Sequence, residues 1–170
     1  GKSAAILCAD ADLDQAVPSL LGNYAHGGQG CALSTRLLLH ESVADEVVAR
    51  LTSMLPFLSA GDPAEPGTTH NPQISAVAKE RVLGYIASGV DAGAELVAGG
   101  GPITDQPHGH WVEPTLFDRC PVDARIAQEE IFGPVAAMIP AESAEHALEL
   151  ANDTPFGLSA GVCTTSLKYA

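Results

Sequence analysis

Basic residues are scarce in this chain: eight Lys and Arg stand against 21 Asp and Glu over 170 residues, for a formal net charge of -13. Nucleic acids and anionic membrane surfaces recruit clustered Lys and Arg, and the few here are scattered, so both are excluded as partners. No apolar run approaches the length of a membrane span, and no charged-then-apolar signal segment opens the chain, so a cytoplasmic protein is expected. The four cysteines, Cys8, Cys31, Cys120 and Cys163, contain no C-x-x-C pair. Their spacing therefore provides neither a zinc motif nor a redox dithiol, and free thiols fit a reducing compartment. His108-Gly109-His110 lacks a nearby Cys or carboxylate partner. It is an incomplete ligand set, so a solvent-exposed loop and no metal are expected. Internal repeats and low-complexity tracts are missing too.

A chain of this length suits one domain with a real core. It opens on Gly1 rather than Met and closes on Ser166-Leu167-Lys168-Tyr169-Ala170, which reads as the start of a helix. Both ends are therefore expected to be arbitrary cuts in a longer protein. Residues 4–8 read as a short buried strand, and Asp10 or Asp12 can cap a helix carrying Leu13, Val17, Leu20, Leu21 and Tyr24 at helical spacing, with Pro18 bending it or shifting its start. Residues 37–39 read as a strand, followed by a helix capped by the Ser42 hydroxyl and running through Val43, Val47, Leu51 and Leu55. Five Gly and Pro residues break the stretch 59–72 into loop, and a helix follows over 75–88. Strands are expected at 94–97, 111–117, 135–139 and 158–162, with a helix at 143–152. Strands alternating with helices predict an α/β fold, a layered and largely parallel sheet flanked by helices.

What the chain does hold is a thiol behind three glycines, Gly27-Gly28-Gln29-Gly30-Cys31, at the end of an apolar helical pattern. Glycines let the backbone approach a ligand closely and leave N–H groups free to face it, and a cysteine placed there can be both exposed and polarised. Taken alone, such a segment is more commonly a turn with a buried thiol. Gln29 reads as structural, its amide fixing the loop. His26 either lowers the thiol pKa as an imidazolium or simply ends the helix. Cys8, Cys120 and Cys163 read as small buried hydrophobes. Far downstream stands Glu129-Glu130-Ile131-Phe132-Gly133-Pro134. Adjacent carboxylates usually belong to a solvated surface, and a phenylalanine to a core.

With Gly1-Lys2-Ser3, Ala9-Asp10-Ala11-Asp12-Leu13, Thr35-Arg36, Gly61-Asp62-Pro63, Glu113-Pro114-Thr115 and Asn152-Asp153-Thr154-Pro155-Phe156-Gly157-Leu158-Ser159, these segments follow one another in an order and spacing that resembles the catalytic domain of the aldehyde dehydrogenase superfamily. The resemblance runs nearly end to end. Gly-Gln-x-Cys and Glu-Glu-Ile-Phe-Gly-Pro are specific to that family, whereas Gly-Asp-Pro and Glu-Pro-Thr occur in many proteins. His26 where many members carry Asn, Asn71-Pro72 in place of a common Gly-Pro, and the helix-interrupting Pro18 are departures that bear on subfamily and substrate.

The resemblance implies oxidation of a small aldehyde to the acid with NAD or NADP as acceptor. Cys31 is then the nucleophile that forms a thiohemiacetal and later a thioester. The Cys31 backbone N–H is one oxyanion donor, and an Asn outside this chain is the other. Glu130 accepts hydrogen bonds from the nicotinamide ribose, Phe132 packs near the nicotinamide ring, and Phe156 lies on the substrate side. The family's general-base Glu would lie three residues before Gly1, and its dinucleotide-binding domain and oligomerisation strand would also lie outside. Residues 1–170 are thus expected to be a partial catalytic domain, inactive alone, of a homo-oligomeric enzyme. Three other readings stand beside this one. A CoA-acylating semialdehyde dehydrogenase would pass the acyl group to CoA. A noncatalytic relative would serve as a binding or structural module, against which the intact motifs speak. A cysteine hydrolase would have His26 as its sole local base.

Overall fold

In the computed structural model, which describes residues 1–170, six strands form one sheet in the order β3-β4-β5-β2-β1-β6. They are β1 (Ala4–Leu7), β2 (Arg36–His40), β3 (Glu95–Ala98), β4 (Thr115–Asp118), β5 (Val135–Ala141) and β6 (Ala160–Cys163). All neighbours pair in parallel except β3, which lies antiparallel on β4. The central strands are continuous apolar runs because helices cover both faces. Side chains alternate across the sheet, so Ala4 and Ile6 of β1 join Val82, Ile86, Ile126 and Ala147, while Ala5 and Leu7 join Val17, Leu20, Val47 and Leu51. Helices α3 (Ala76–Asp91), α4 (Arg125–Gln128) and α5 (Ala144–Asn152) thereby cover one face, and α1 (Leu13–Leu20) and α2 (Glu41–Met54) the other. The layered α/β architecture is the one the sequence predicts.

Local chemistry explains most boundaries. Asp12, Ser75 and Ser143 cap α1, α3 and α5 by accepting from backbone N–H groups at 3.0 to 3.1 Å. The cap of α2 is not Ser42 but His40, whose Nδ1 accepts from the Ser42 N–H at 3.2 Å. Strand β2 runs straight into α2, so the last strand residue must serve as the cap. Pro18 falls in the last turn of α1, after which the chain tightens into a 3₁₀ turn from Leu21 that is broken by a kink at Ala25, His26 and Gly27. The strand expected from residue 111 begins only at Thr115, directly after Pro114, which has no N–H for a ladder. The four residues of α4 are too few for a periodic signal and have no counterpart among the expected elements.

Because five strands are parallel, they all start at the same edge of the sheet. Gly1-Lys2-Ser3 leads into β1, the Cys31 loop into β2, Glu113-Pro114 into β4, 129–134 into β5 and 156–159 into β6. The motif segments therefore gather at the amino ends of the strands. Open parallel sheets usually bind ligands beyond the carboxyl ends. Here that edge is taken up by short connections into α1, α2 and α5.

Candidate active site

The loop that carries Cys31 is built on three consecutive left-handed residues, His26 (φ 54°), Gly27 (φ 63°) and Gly28 (φ 71°). His26 is the costly one, since an L side chain pays roughly 1–2 kcal/mol for this conformation. Two side-chain amides hold the turn. Gln29 Nε2 donates to the His26 carbonyl at 2.9 Å and to the Pro72 carbonyl at 3.0 Å, while its Oε1 accepts from the Ile74 N–H at 2.9 Å. Gln73 Nε2 donates to the Gly27 carbonyl at 2.7 Å. Gln29 thus fixes the loop as its position implied. Gln73, only 3% exposed, had no sequence signal, because its partner lies 46 residues away. His26 lies one residue past Ala25, where the helical backbone stops, with its side chain exposed and its carbonyl engaged.

The turn leaves Cys31 exposed, whereas Cys8 and Cys120 are buried and Cys163 is half-buried. Burial pushes the Cys8 and Cys163 thiols upward and the Cys120 thiol up to about 11. The backbone N–H of Cys31 has no hydrogen-bond partner within the chain, so it remains free to donate.

Two close approaches bring the distant motifs together. A Cβ placed on Gly28 would overlap the Gly133 carbonyl, so the cysteine loop packs directly on the Gly133-Pro134 turn. A Cβ on Gly1 would stand 2.9 Å from the Cys31 carbonyl oxygen and 3.1 Å from Leu158 Cβ. The Gly1 amino nitrogen meanwhile donates to Glu130 Oε1. Gly1 therefore touches the segments of Cys31, Glu130 and Phe156 at once.

The two adjacent carboxylates are not equivalent. Glu129 accepts from Arg125 Nε at 3.1 Å, Arg125 Nη2 at 2.9 Å and the Tyr85 hydroxyl at 2.7 Å. The Arg125 hydrogen bonds, then that of Tyr85, hold its carboxyl down at about 2. The Glu130 carboxylate has only the Gly1 nitrogen as a partner, and about a third of its side chain meets solvent. Phe132 is left-handed at φ 52° and 39% exposed. A bulky residue in that region is an outlier, and such strain gathers at functional sites.

Phe156 opens on a cavity of about 340 Å³ shared with Lys2, Arg36, Asn152 and Leu158. Arg36 is locked in its wall by the carbonyls of Lys2 (3.2 Å), Leu150 (3.0 Å) and Ala151 (2.9 Å). Lys2 Nζ and Ser3 Oγ are buried with no partner. Burial, and then the like charge of Arg36, push the Lys2 ammonium down to about 7. Cys163 does not share this cavity; it sits at the other end of β6 and faces a hollow with Ala32, Leu33 and Ser34.

The model of the aldehyde dehydrogenase family matches residues 1–170. A mitochondrial aldehyde dehydrogenase of Leishmania tarentolae is 43% identical over 171 residues, spanning 100% of this chain and 34% of that protein. Among solved structures, Mycobacterium tuberculosis aldehyde dehydrogenase complexed with NAD+ is 43% identical with a TM-score of 0.95, over 99% of this chain and 35% of that one. A P. syringae indole-3-acetaldehyde dehydrogenase mutant in complex with NAD+ and IAA is 40% identical with a TM-score of 0.96, over 100% and 35%. This chain thus spans about a third of the length of the relatives it matches.

Proposed function

Because the chain belongs to the aldehyde dehydrogenase family, we propose that residues 1–170 are the catalytic-domain part of an enzyme that oxidises an aldehyde to a carboxylic acid with NAD or NADP as acceptor. The dinucleotide-binding domain and the oligomerisation segment of a homo-oligomer lie, in this reading, outside residues 1–170. The observation that carries it is the packing of the Cys31 loop on the Gly133-Pro134 turn, three residues past Glu130, at one edge of the sheet.

Cys31, exposed on its glycine-rich loop, attacks the carbonyl carbon as the thiolate, forming the C–S bond and sending the carbonyl electron pair onto oxygen. The free Cys31 N–H donates to that oxyanion. The nicotinamide cofactor, when bound, supplies the hydride acceptor. Cys31 then holds the acyl group as a thioester until water releases the acid. On the cofactor side, Glu130 has a half-open carboxylate suited to the two ribose hydroxyls, and Phe132 offers an exposed ring face for packing near the nicotinamide. Glu129 takes no such role because its oxygens are already committed. Phe156 borders the aldehyde.

The test uses the full-length protein that carries this chain. Iodoacetamide is expected to abolish aldehyde-dependent NAD reduction while labelling Cys31 ahead of Cys8, Cys120 and Cys163. A Cys31→Ala enzyme that still reduces NAD would overturn the reading. Residues 1–170 alone are expected to show no turnover, since the loss of one oxyanion donor already costs about a hundredfold to a thousandfold. No helix of the structure is long and apolar enough to cross a membrane. Cytoplasmic residence is the accompanying expectation, and recovery of the enzyme in the mitochondrial fraction would refute it.

A further inference from the structure

Glu129 sits where α4 ends and the segment leading to β5 begins, with extended backbone (φ -105°, ψ 149°). Its carboxylate is gripped by two elements at once, by Tyr85 of α3 and by Arg125 of α4. The Arg125 guanidinium also lies over the Tyr85 ring, 4.8 Å from its centre. An exposed i,i+4 ion pair by itself contributes little. This one is bidentate, is closed by a hydroxyl from 44 residues away, and precedes Glu130 by a single peptide.

Successive side chains of an extended segment point to opposite sides. Pinning Glu129 against α3 and α4 therefore turns Glu130 the other way, toward the segment that leads into β1. Arg125 also neutralises Glu129, so that the two neighbouring carboxylates do not repel one another. Two residues past Glu130, the left-handed Phe132 needs the flanking backbone held, and the Gly28–Gly133 contact anchors the far side of it.

We propose that Tyr85 and Arg125 are positioning residues for cofactor binding, acting through Glu129 to aim Glu130 and to hold the strained Phe132 segment. The inference rests on the assignment of Glu130 to the nicotinamide ribose.

The experiment measures KM for NAD (or for NADP, if that is the cofactor turned over), kcat, thermal midpoint and the rate of Cys31 alkylation in the full-length enzyme. Tyr85→Phe, Glu129→Gln and Arg125→Met are each made alone and in a Glu130→Gln background. Tyr85→Phe and Glu129→Gln are expected to raise KM for the cofactor by about tenfold, the worth of a hydrogen bond to a charged group. The alkylation rate and thermal midpoint stay as in the wild type. In the Glu130→Gln background the same substitutions change KM by less than about twofold, because the group they aim is gone. Undiminished KM effects in that background, a fall in thermal midpoint that accounts for the loss, or an unchanged KM in the single variants would each overturn the proposal. If Glu130→Gln by itself leaves KM unchanged, the ribose assignment fails first, and the positioning role falls with it.

Discussion

At the carboxyl ends of the parallel strands the chain turns into helices through short connections in which Asp12, His40 and Ser143 each accept a backbone N–H. There Asp10 ties β1 to the chain beyond β6 by accepting from Thr164 and Thr165. At the amino ends of the same strands lie left-handed His26 and Phe132, a Cys31 N–H with no partner, and the orphaned buried atoms Lys2 Nζ and Ser3 Oγ. Arg119, left-handed just after β4, is the exception at the quiet edge, and the Cys120 N–H that follows it still finds the Met138 carbonyl. One edge is a capped scaffold, whereas the other stores strain and leaves polar groups unmet beside an exposed thiol. Such a division is expected when rigid elements hold a reactive site whose local structure would not be stable on its own.

Substitutions at the two edges separate these roles. Gly28→Ala should have the largest effect, because the new methyl overlaps the Gly133 carbonyl and the position is left-handed. A loss of about 3 kcal/mol or more in urea unfolding is expected, together with loss of turnover in the full-length enzyme. Wild-type stability in Gly28→Ala would show that the two motif segments do not pack as described.

Lys2→Met should act in the opposite direction. The folded value of Lys2, about 7, lies below its ordinary value of 10.5. Between those limits the unfolded chain binds the extra proton, so stability rises with pH across the window by on the order of 1 kcal/mol per pH unit, and the dependence fades below about 7. Lys2→Met is expected to raise the unfolding free energy at pH 7.5 and to flatten that slope. An equally steep slope in Lys2→Met would assign it to another group.

Gln73→Ala leaves the Gly27 carbonyl without its partner and should cost about 1–3 kcal/mol, with slower turnover as the Cys31 loop loosens if Cys31 is the nucleophile proposed above. Ser143→Ala at the carboxyl edge should cost about 1 kcal/mol by urea titration and leave kcat/KM untouched. If Ser143→Ala lowers kcat/KM as much as Gln73→Ala does, the distinction between the edges is lost.

The alternation of apolar strands with periodic helices made the layers legible, since side-chain periodicity is a local property and burial on both faces of β1, β2 and β5 requires little else. Of the caps, Asp12 was legible as one of two candidate acids, whereas Ser75 and Ser143 stood only as helix starts and the structure shows them accepting backbone N–H groups. Ser42 was read as a cap that belongs to His40, because the missing linker between β2 and α2 is set by where the strand stops pairing. The short α4, too brief to show a period, escaped notice although it carries half of the Glu129 clamp.

By itself, the sequence determined which residue types stand beside one another in each motif, a cysteine behind glycines and two carboxylates before a phenylalanine, and the excess of acidic over basic residues. Only the tertiary structure decided that these segments share the amino edge of a parallel sheet, that Gly1 bridges Cys31 and Glu130, and that Glu129 is spent on Tyr85 and Arg125. Contacts between residues 44 or 129 positions apart follow from strand order and from close backbone approach, and neither is written in any local pattern of side chains.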